Sequence, residues 1–460
     1  VLQTIANAFK IADLRKKILF TALILLIFRI GSAIPVPFLD TENFGLLVGQ
    51  GLVDASENNI LNYLNMMTGD AFNYGTIFAM GITPYINSSI IMQLLTVAIP
   101  ALERLQKEGE EGRKKIASIT RFVTIGLAIV QSTAYYFYVR SQGYLAVDAE
   151  GQAFTGFFGI FQAVIIVMCF TAGTALIMWL GEQINDKGIG NGISLILFVG
   201  IIARFPTTLS ALFSLDPTIG YLGRGGPYTF LSPLAGIIML LMIAYIVFMD
   251  NGQRRIPVQY AKRVVGRKMY GGQSTHIPIK VNMSGVMPII FASSILSLPP
   301  TIQMFTANRI PEDSSWNTFF GIFQQTHWVY AIIYFLLIIG FAYFYASIQY
   351  NPVEMSNNIR RQSGTIPGIR PGEPTANFIR KILSKITLLG ALMISVVAIF
   401  PIIFTQVTTL ILDAYFAADS VGMNIALGGT SIIIVVGVAL ETVKQMESQM
   451  MMRHYRGFLD

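Results

Sequence analysis

Gly81-Ile82-Thr83-Pro84-Tyr85-Ile86-Asn87-Ser88-Ser89-Ile90 and Gly285-Val286-Met287-Pro288-Ile289-Ile290-Phe291-Ala292-Ser293-Ser294-Ile295 share one pattern, G-x-x-P-x-I with Ser-Ser-Ile shortly after. A second pair repeats the theme: Ser194-Leu195-Ile196-Leu197-Phe198-Val199-Gly200 and Ser431-Ile432-Ile433-Ile434-Val435-Val436-Gly437. All four lie in apolar stretches long enough to cross a bilayer, which takes about 17–25 residues. Counted along the chain, the first pair falls in the second and seventh stretches and the second pair in the fifth and tenth. The members of each pair are five stretches apart. That spacing predicts a duplication into two five-helix halves, and an odd number per half turns the second half upside down. Apolar helices also resemble one another by chance, and proline is frequent in membrane helices; two matches in matching order favour duplication. Glycine and proline interruptions at matching positions of inverted halves mark a pathway between them.

Working outward, the apolar stretches run roughly over 18–34, 76–98, 117–139, 157–181, 189–208, 230–249, 284–305, 328–350, 386–406 and 425–443. The composition agrees: of 460 residues 53% are apolar and 12% charged, and the mean hydropathy is +0.59. Soluble domains carry about 25% charge, so a soluble fold is excluded, and the aliphatic and aromatic load excludes disorder. The single cysteine, Cys169, excludes a disulfide scaffold. Lys10, Arg15, Lys16 and Lys17 precede the first stretch, which reads as a retained helix because nine more follow it. Assigning loops alternately to two sides puts 27 of the 32 Lys and Arg on the side of both termini and 4 on the other, with Arg29 inside a stretch. Acidic residues split 13 and 12, so the two sides carry +14 and −8. The positive-inside rule then predicts cytoplasmic termini. The expected fold is all-α and polytopic, with ten transmembrane helices in two inverted pseudo-symmetric halves, residues 1–209 and 210–460.

Catalytic chemistry finds little footing. His276, His327 and His454 fall on separate segments without a metal-ligand spacing, and no G-x-S-x-G or paired membrane carboxylates occur. Gly188, Gly190 and Gly192 form a G-x-G-x-G, but it opens a membrane helix instead of following a strand, which makes a poor phosphate cradle. The deep interiors of stretches two to ten hold almost no ionisable groups, whereas pumps and ion-coupled transporters use such groups as relays. An arginine placed like Arg29 more often snorkels outward than works. Cys169 reads as a small core residue.

The run Arg254-Arg255-Ile256-Pro257-Val258-Gln259-Tyr260-Ala261-Lys262-Arg263, continuing to Tyr270-Gly271-Gly272-Gln273-Ser274-Thr275-His276-Ile277-Pro278, resembles the loop after the sixth helix of the SecY family, the central subunits of bacterial protein-conducting channels. Phe28-Arg29-Ile30-Gly31, Glu182-Gln183-Ile184 through Gly188-Ile189-Gly190-Asn191-Gly192-Ile193-Ser194, Pro367-Gly368-Ile369-Arg370-Pro371-Gly372, Gly428-Gly429-Thr430-Ser431 and His454-Tyr455-Arg456-Gly457 are similar in order and spacing. The resemblance covers essentially the whole chain.

It implies an hourglass pore closed by an aliphatic ring, here Ile82, Ile86, Ile193, Leu197, Ile290 and Ile434. Ile82/Ile86 and Ile193/Leu197 are i, i+4 pairs that stack on one helix face. An apolar constriction resists ions by dewetting yet can yield to a polypeptide. Taken alone, each of these residues would more often face lipid. The resemblance further implies a plug at about 61–74, with Leu61, Leu64, Gly69, Asp70, Ala71 and Phe72; Asp70 stands where the family often has glycine. Asn87, Ser88, Ser89, Ser293 and Ser294 would line a lateral gate between the second and seventh helices, although small-residue packing explains them equally well. Loops near 250–283 and 351–385 would dock a SecA motor or a ribosome through Arg254, Arg255, Arg263, Arg267, Lys268, Arg360, Arg361 and Arg370.

Taken together, the resemblance implies a passive pore in the bacterial inner membrane, without cofactor or enzymatic activity. It would pass preproteins, release membrane helices to lipid, and carry SecE-like and SecG-like subunits. The rival reading is an ion-coupled transporter or flippase built from inverted repeats, whose buried charged residues are missing here.

Overall fold

The structure, a computed structural model, describes residues 7–39, 68, 71–72, 74–141, 143–146, 156–216, 220–226, 228–260, 263–265, 268–270, 274–299, 302–303, 315–323, 328–415 and 429–456. The chain runs α1 (Ala12–Gly31), α2 (Thr83–Ala98), α3 (Pro100–Lys107), α4 (Glu110–Ser141), α5 (Gly156–Lys187), α6 (Gly192–Ala203), α7 (Phe205–Phe213) and α8 (Tyr228–Asn251). Then come β1 (Gln253–Tyr260), β2 (Arg263–Val265), β3 (Lys268–Tyr270), β4 (Ser274–Lys280), α9 (Met287–Leu296), α10 (Ser315–Gly321) and α11 (Trp328–Gln349). The remainder is α12 (Pro352–Arg361), β5 (Gly364–Thr365), α13 (Glu373–Tyr415) and α14 (Gly429–Arg456).

Every apolar stretch contributes a helix. By length and composition, seven of the described spans can cross a membrane, or eight if α2 and α3, bent by 100° at Ile99, count as one. The chain is a multi-pass membrane protein. Apolar side chains such as Leu23, Phe158, Phe230 and Leu336 stand exposed on its helices, as lipid-facing surface does. Each described apolar stretch is mainly helical, while the loop after α8 folds as β structure that hydropathy did not foresee.

The two copies of the first motif begin their helices in the same way. Thr76 bridges Pro35, residues 77–82 are turns, and α2 starts only at Thr83. Gly81 has φ +56° and Gly285 φ +61°, a region that costs L side chains energy. Pro84 and Pro288 sit in the first turns of α2 and α9, where no helical partner needs their missing N–H. Copy also packs on copy: α2 touches α9, and α6 touches α14.

The G-x-G-x-G run proves to be a tight corner between α5 and α6. Asn191 Oδ1 accepts from the amides of Ile193 and Ser194, and Asn185 Oδ1 accepts from the Gly192 amide at 2.8 Å. A Cβ on Gly192 would stand 2.0 Å from the Gly181 carbonyl oxygen. Gly192→Ala therefore forces the helices apart, and overpacking of this kind costs about 1–3 kcal/mol. Purified variant should unfold at a clearly lower temperature than the parent; an unchanged midpoint would show that the corner is slack.

On the basic side the two long loops form one folded unit. β1 pairs antiparallel with β4 (Arg255 opposite Pro278, Val258 opposite Thr275) and with β5 (Gln259 opposite Thr365). Alternation along β1 turns Ile256 and Val258 inward, where they share a core with Ile279, Ile359, Ile366, Ile379 and Leu383. Ile379 and Leu383 belong to α13, a 43-residue helix that at 1.5 Å per residue spans about 65 Å. It leaves this unit and enters the membrane core, where Ile394, Val397 and Ala398 join the main apolar cluster.

Candidate functional site

Ile82, Ile86, Leu197, Ile290 and Ile434 are all buried in that one cluster, and Ile193, half-buried, packs against it. They arrive from the N-cap of α2 and from α2, α6, α9 and α14. Because α2 meets α9 and α6 meets α14, Ile86 approaches the helix carrying its motif counterpart Ile290, and Leu197 the helix carrying Ile434. The result is a buried apolar centre where motif-bearing helices converge. Aliphatic side chains make up most of this cluster, with Tyr330 and Tyr334 among its members, so it offers polarisability and softness.

Next to it lies a second cluster that holds the chain entering α2. Of the six residues assigned to a plug, Leu61, Leu64, Gly69 and Asp70 lie outside the described residues; Ala71 and Phe72 are buried. The Phe72 ring stands 4.5 Å from that of Tyr135 on α4, whose hydroxyl donates to the Phe72 carbonyl. The Phe72 amide donates to Thr68 Oγ1 at 3.2 Å, and the Val36 amide to the Gly75 carbonyl at 3.0 Å. Gln162 on α5, 3% exposed, donates to the carbonyls of Phe38 and Ala146. Tyr135→Phe keeps the ring and removes one hydrogen bond worth about 1 kcal/mol net. Amide exchange should therefore quicken at 71–80 and stay unchanged in α2; equal exchange in both segments would deny the contact a holding role.

The serines expected at the gate bond as follows. Ser88 Oγ donates to the Thr120 carbonyl of α4 at 2.8 Å, so it faces away from α9. Ser89 Oγ accepts from Gln93 of its own helix, and Ser293 Oγ donates to the Ile290 carbonyl one turn back. Ser294 is buried. Asn87 alone of the five lines a cavity of about 40 Å³, together with Thr83, Gln131, Tyr135, Ser297 and Leu298, which leaves room for two or three waters at about 10–15 Å³ each. Gln131, Tyr135, Gln162 and Ser297 escaped the sequence reading. Gln162 was detectable as a lone amide in an apolar stretch; the others gain meaning only from neighbours distant in sequence.

On the basic unit, Arg254 and Arg255 project from β1, Arg360 and Arg361 from the last turn of α12, and Arg370 from the turn before α13; all five are exposed. Arg263 and Lys268 fall in the β2–β3 hairpin, and Arg267 lies outside the described residues. The Arg370 turn is rigid. Gly368 and Gly372 have φ +81° and +102°; Thr375 Oγ1 donates to the Arg370 carbonyl and Ser356 Oγ to the Gly372 carbonyl, both at 2.8 Å. Backbone anchors thus hold the guanidinium outward while the side chain stays free to bind.

Motif-bearing helices converging on a buried apolar centre, beneath a single basic unit, define a polytopic helical membrane protein. The chain belongs to the SecY family, whose model matches residues 76–443. It is 44% identical over 462 residues to the protein translocase subunit SecY of Streptomyces galbus, and 42% identical over 469 residues to that of Mycobacterium tuberculosis H37Rv, each match covering all of both chains. Among solved structures, one described as "The structure of a protein conducting channel" has a TM-score of 0.57 at 16% identity, covering 94% of this chain and 92% of its own. One described as "Sec61 in the Canine ribosome-channel complex from the endoplasmic reticulum" has a TM-score of 0.51 at 15% identity, covering 94% and 92%. Those two likenesses concern the fold.

Proposed function

We propose that this chain is the channel subunit of a protein translocase, a passive pore that passes unfolded preproteins across the bacterial inner membrane and releases membrane helices sideways into lipid. The observation that carries the reading is the burial of five aliphatic ring candidates, contributed by repeat-related helices, in one cluster of a SecY-family chain. On this reading ten helices cross the membrane with both termini cytoplasmic, α1 and α9 included, and the halves are residues 1–209 and 210–460. Ile82, Ile86, Ile193, Leu197, Ile290 and Ile434 close the pore. Residues 61–74 form the plug, and α2 and α9 border the lateral gate, with Asn87 and Ser297 facing it.

Energy comes from outside the chain, from a SecA-type motor or an elongating ribosome docked on the arginines of the basic unit. Contacts to RNA phosphate there would weaken steeply with salt. SecE-like and SecG-like single-span subunits complete the assembly. The test is reconstitution into vesicles with those subunits, SecA, ATP and a preprotein bearing a signal sequence. Protease-protected preprotein is the expected result. Vesicles that protect no preprotein but accumulate a small solute would return the transporter reading.

A further inference from the structure

We propose that the Gly429–Thr430 turn opening α14 is a positioning element that sets the place of Ile434 in the constriction and so how strong a signal the channel demands. The proposal rests on the constriction reading above. Pro401 lies inside α13 and has no N–H, so the Val397 carbonyl four residues back loses its helical donor. The start of α14 packs closely against that carbonyl. A Cβ on Gly429 would stand 2.1 Å from the Val397 carbonyl oxygen and 3.1 Å from the Ala398 Cα, so only glycine allows the approach. The next residue is tied to a different helix: Thr430 Oγ1 lies 2.9 Å from the hydroxyl of Tyr334 on α11, which is 2% exposed.

Ile434 follows Thr430 by four residues and therefore lies on the same face, one turn further on. Val397 and Ala398 belong to the same buried cluster as Ile434. Two contacts to two different helices fix the height and the rotation of α14 just before it enters that cluster.

The other half holds the matching device. In the register that pairs Ser194 with Ser431, Gly192 pairs with Gly429 and Leu197 with Ile434. Gly192 is pressed on a carbonyl in the same way, 2.0 Å from a notional Cβ to the Gly181 oxygen. Each copy thus begins with a glycine seated on another helix's carbonyl, five residues before its ring candidate. The register also pairs Ile193 with Thr430. One copy places an aliphatic ring candidate where the other places a hydroxyl bonded to Tyr334, so the bond substitutes for apolar packing at that position.

The test uses the assembled translocase with Cys169→Ser and a reporter Ile434→Cys, followed by the rate of modification with a small water-soluble methanethiosulfonate. Thr430→Val keeps shape and loses the hydroxyl; Thr430→Ser keeps the hydroxyl. In Thr430→Val the reporter should react at least tenfold faster than in the otherwise identical parent, and Thr430→Ser should react at close to the parent rate. With Ile434 restored, Thr430→Val and Tyr334→Phe should export substrates with weakened signals several-fold better, and strong signals as before. Thr430→Val reacting no faster than the parent, or Thr430→Ser reacting as fast as Thr430→Val, overturns the positioning role. Ile434→Asn and Ile290→Asn are run beside them: if both keep the parent's resting conductance and signal stringency, the constriction reading fails by itself, while the thiol rates still decide whether the turn places residue 434.

Discussion

Ile434→Asn and Ile290→Asn will each raise the resting ion conductance of reconstituted channels about tenfold and admit substrates with weakened signal sequences; burying an unpaired amide costs about 1–3 kcal/mol in protein interiors, and each 1.4 kcal/mol is tenfold in an equilibrium. Both residues are buried, at 1% and 6% exposure, in the main apolar cluster. An amide there either stays dry and unpaired or draws water into the contact, and both outcomes weaken the closed state. Ile434→Val serves as control, because an apolar swap of similar shape typically costs less than about 1.5 kcal/mol and leaves the site dry. Conductance across planar bilayers and export of a signal-weakened substrate are the two measurements. If both asparagine variants match the parent in both assays, these side chains are structural packing and the seal lies elsewhere.

Arg370→Glu will reduce SecA-driven export at least tenfold while the protein accumulates and unfolds as the parent does. The fold tolerates the change because the turn is held by main-chain contacts, Thr375 to the Arg370 carbonyl and Ser356 to the Gly372 carbonyl, and by the shared core behind it. The partner surface does not tolerate it: like charges brought together across an interface cost several kcal/mol. Arg370→Lys should fall between the two, since it keeps the charge but loses the planar fork. Export is scored as protease-protected preprotein per reconstituted channel, at two salt concentrations. A well-assembled Arg370→Glu channel that exports at the parent rate would remove Arg370 from the docking surface.

Periodicity and charge carry unequal amounts of this. The membrane helices were legible because a span must be apolar all round and of bilayer length, a demand met locally by each stretch. The repeat motifs were legible for the same reason: Gly81 and Gly285 need positive φ, and Pro84 and Pro288 need a first helical turn, wherever the rest of the chain goes. The basic unit was legible only as charge. Its sheet was missed because Ile256 and Val258 alternate over a single short strand, and β5, which completes the sheet, lies more than a hundred residues away.

Side-chain roles divide along the same line. The resemblance implies Ser88 and Ser293 as gate residues; in the structure one bonds to α4 and the other to its own turn. A hydroxyl in an apolar helix takes the nearest free carbonyl, and which carbonyl is nearest depends on helix rotation, which hydropathy does not encode. Tyr135, Gln131 and Tyr334 illustrate the converse. Nothing in their flanking residues distinguishes them: Tyr135 and Tyr334 find Phe72 and Thr430 in remote parts of the chain, and Gln131 lines one cavity with Ser297.

By itself the sequence determined that this chain is a multi-pass helical membrane protein with duplicated motifs and a strongly basic side, because length, apolarity, charge and turn chemistry act over a few residues at a time. It took the folded chain to show that five of the six aliphatic candidates are buried in one cluster with Ile193 packed against it, that the two basic loops are one unit, and that Gly429 closes on the carbonyl left open by Pro401. Those are contacts between elements, and they depend on the height and rotation at which whole helices pack, which no local pattern can specify.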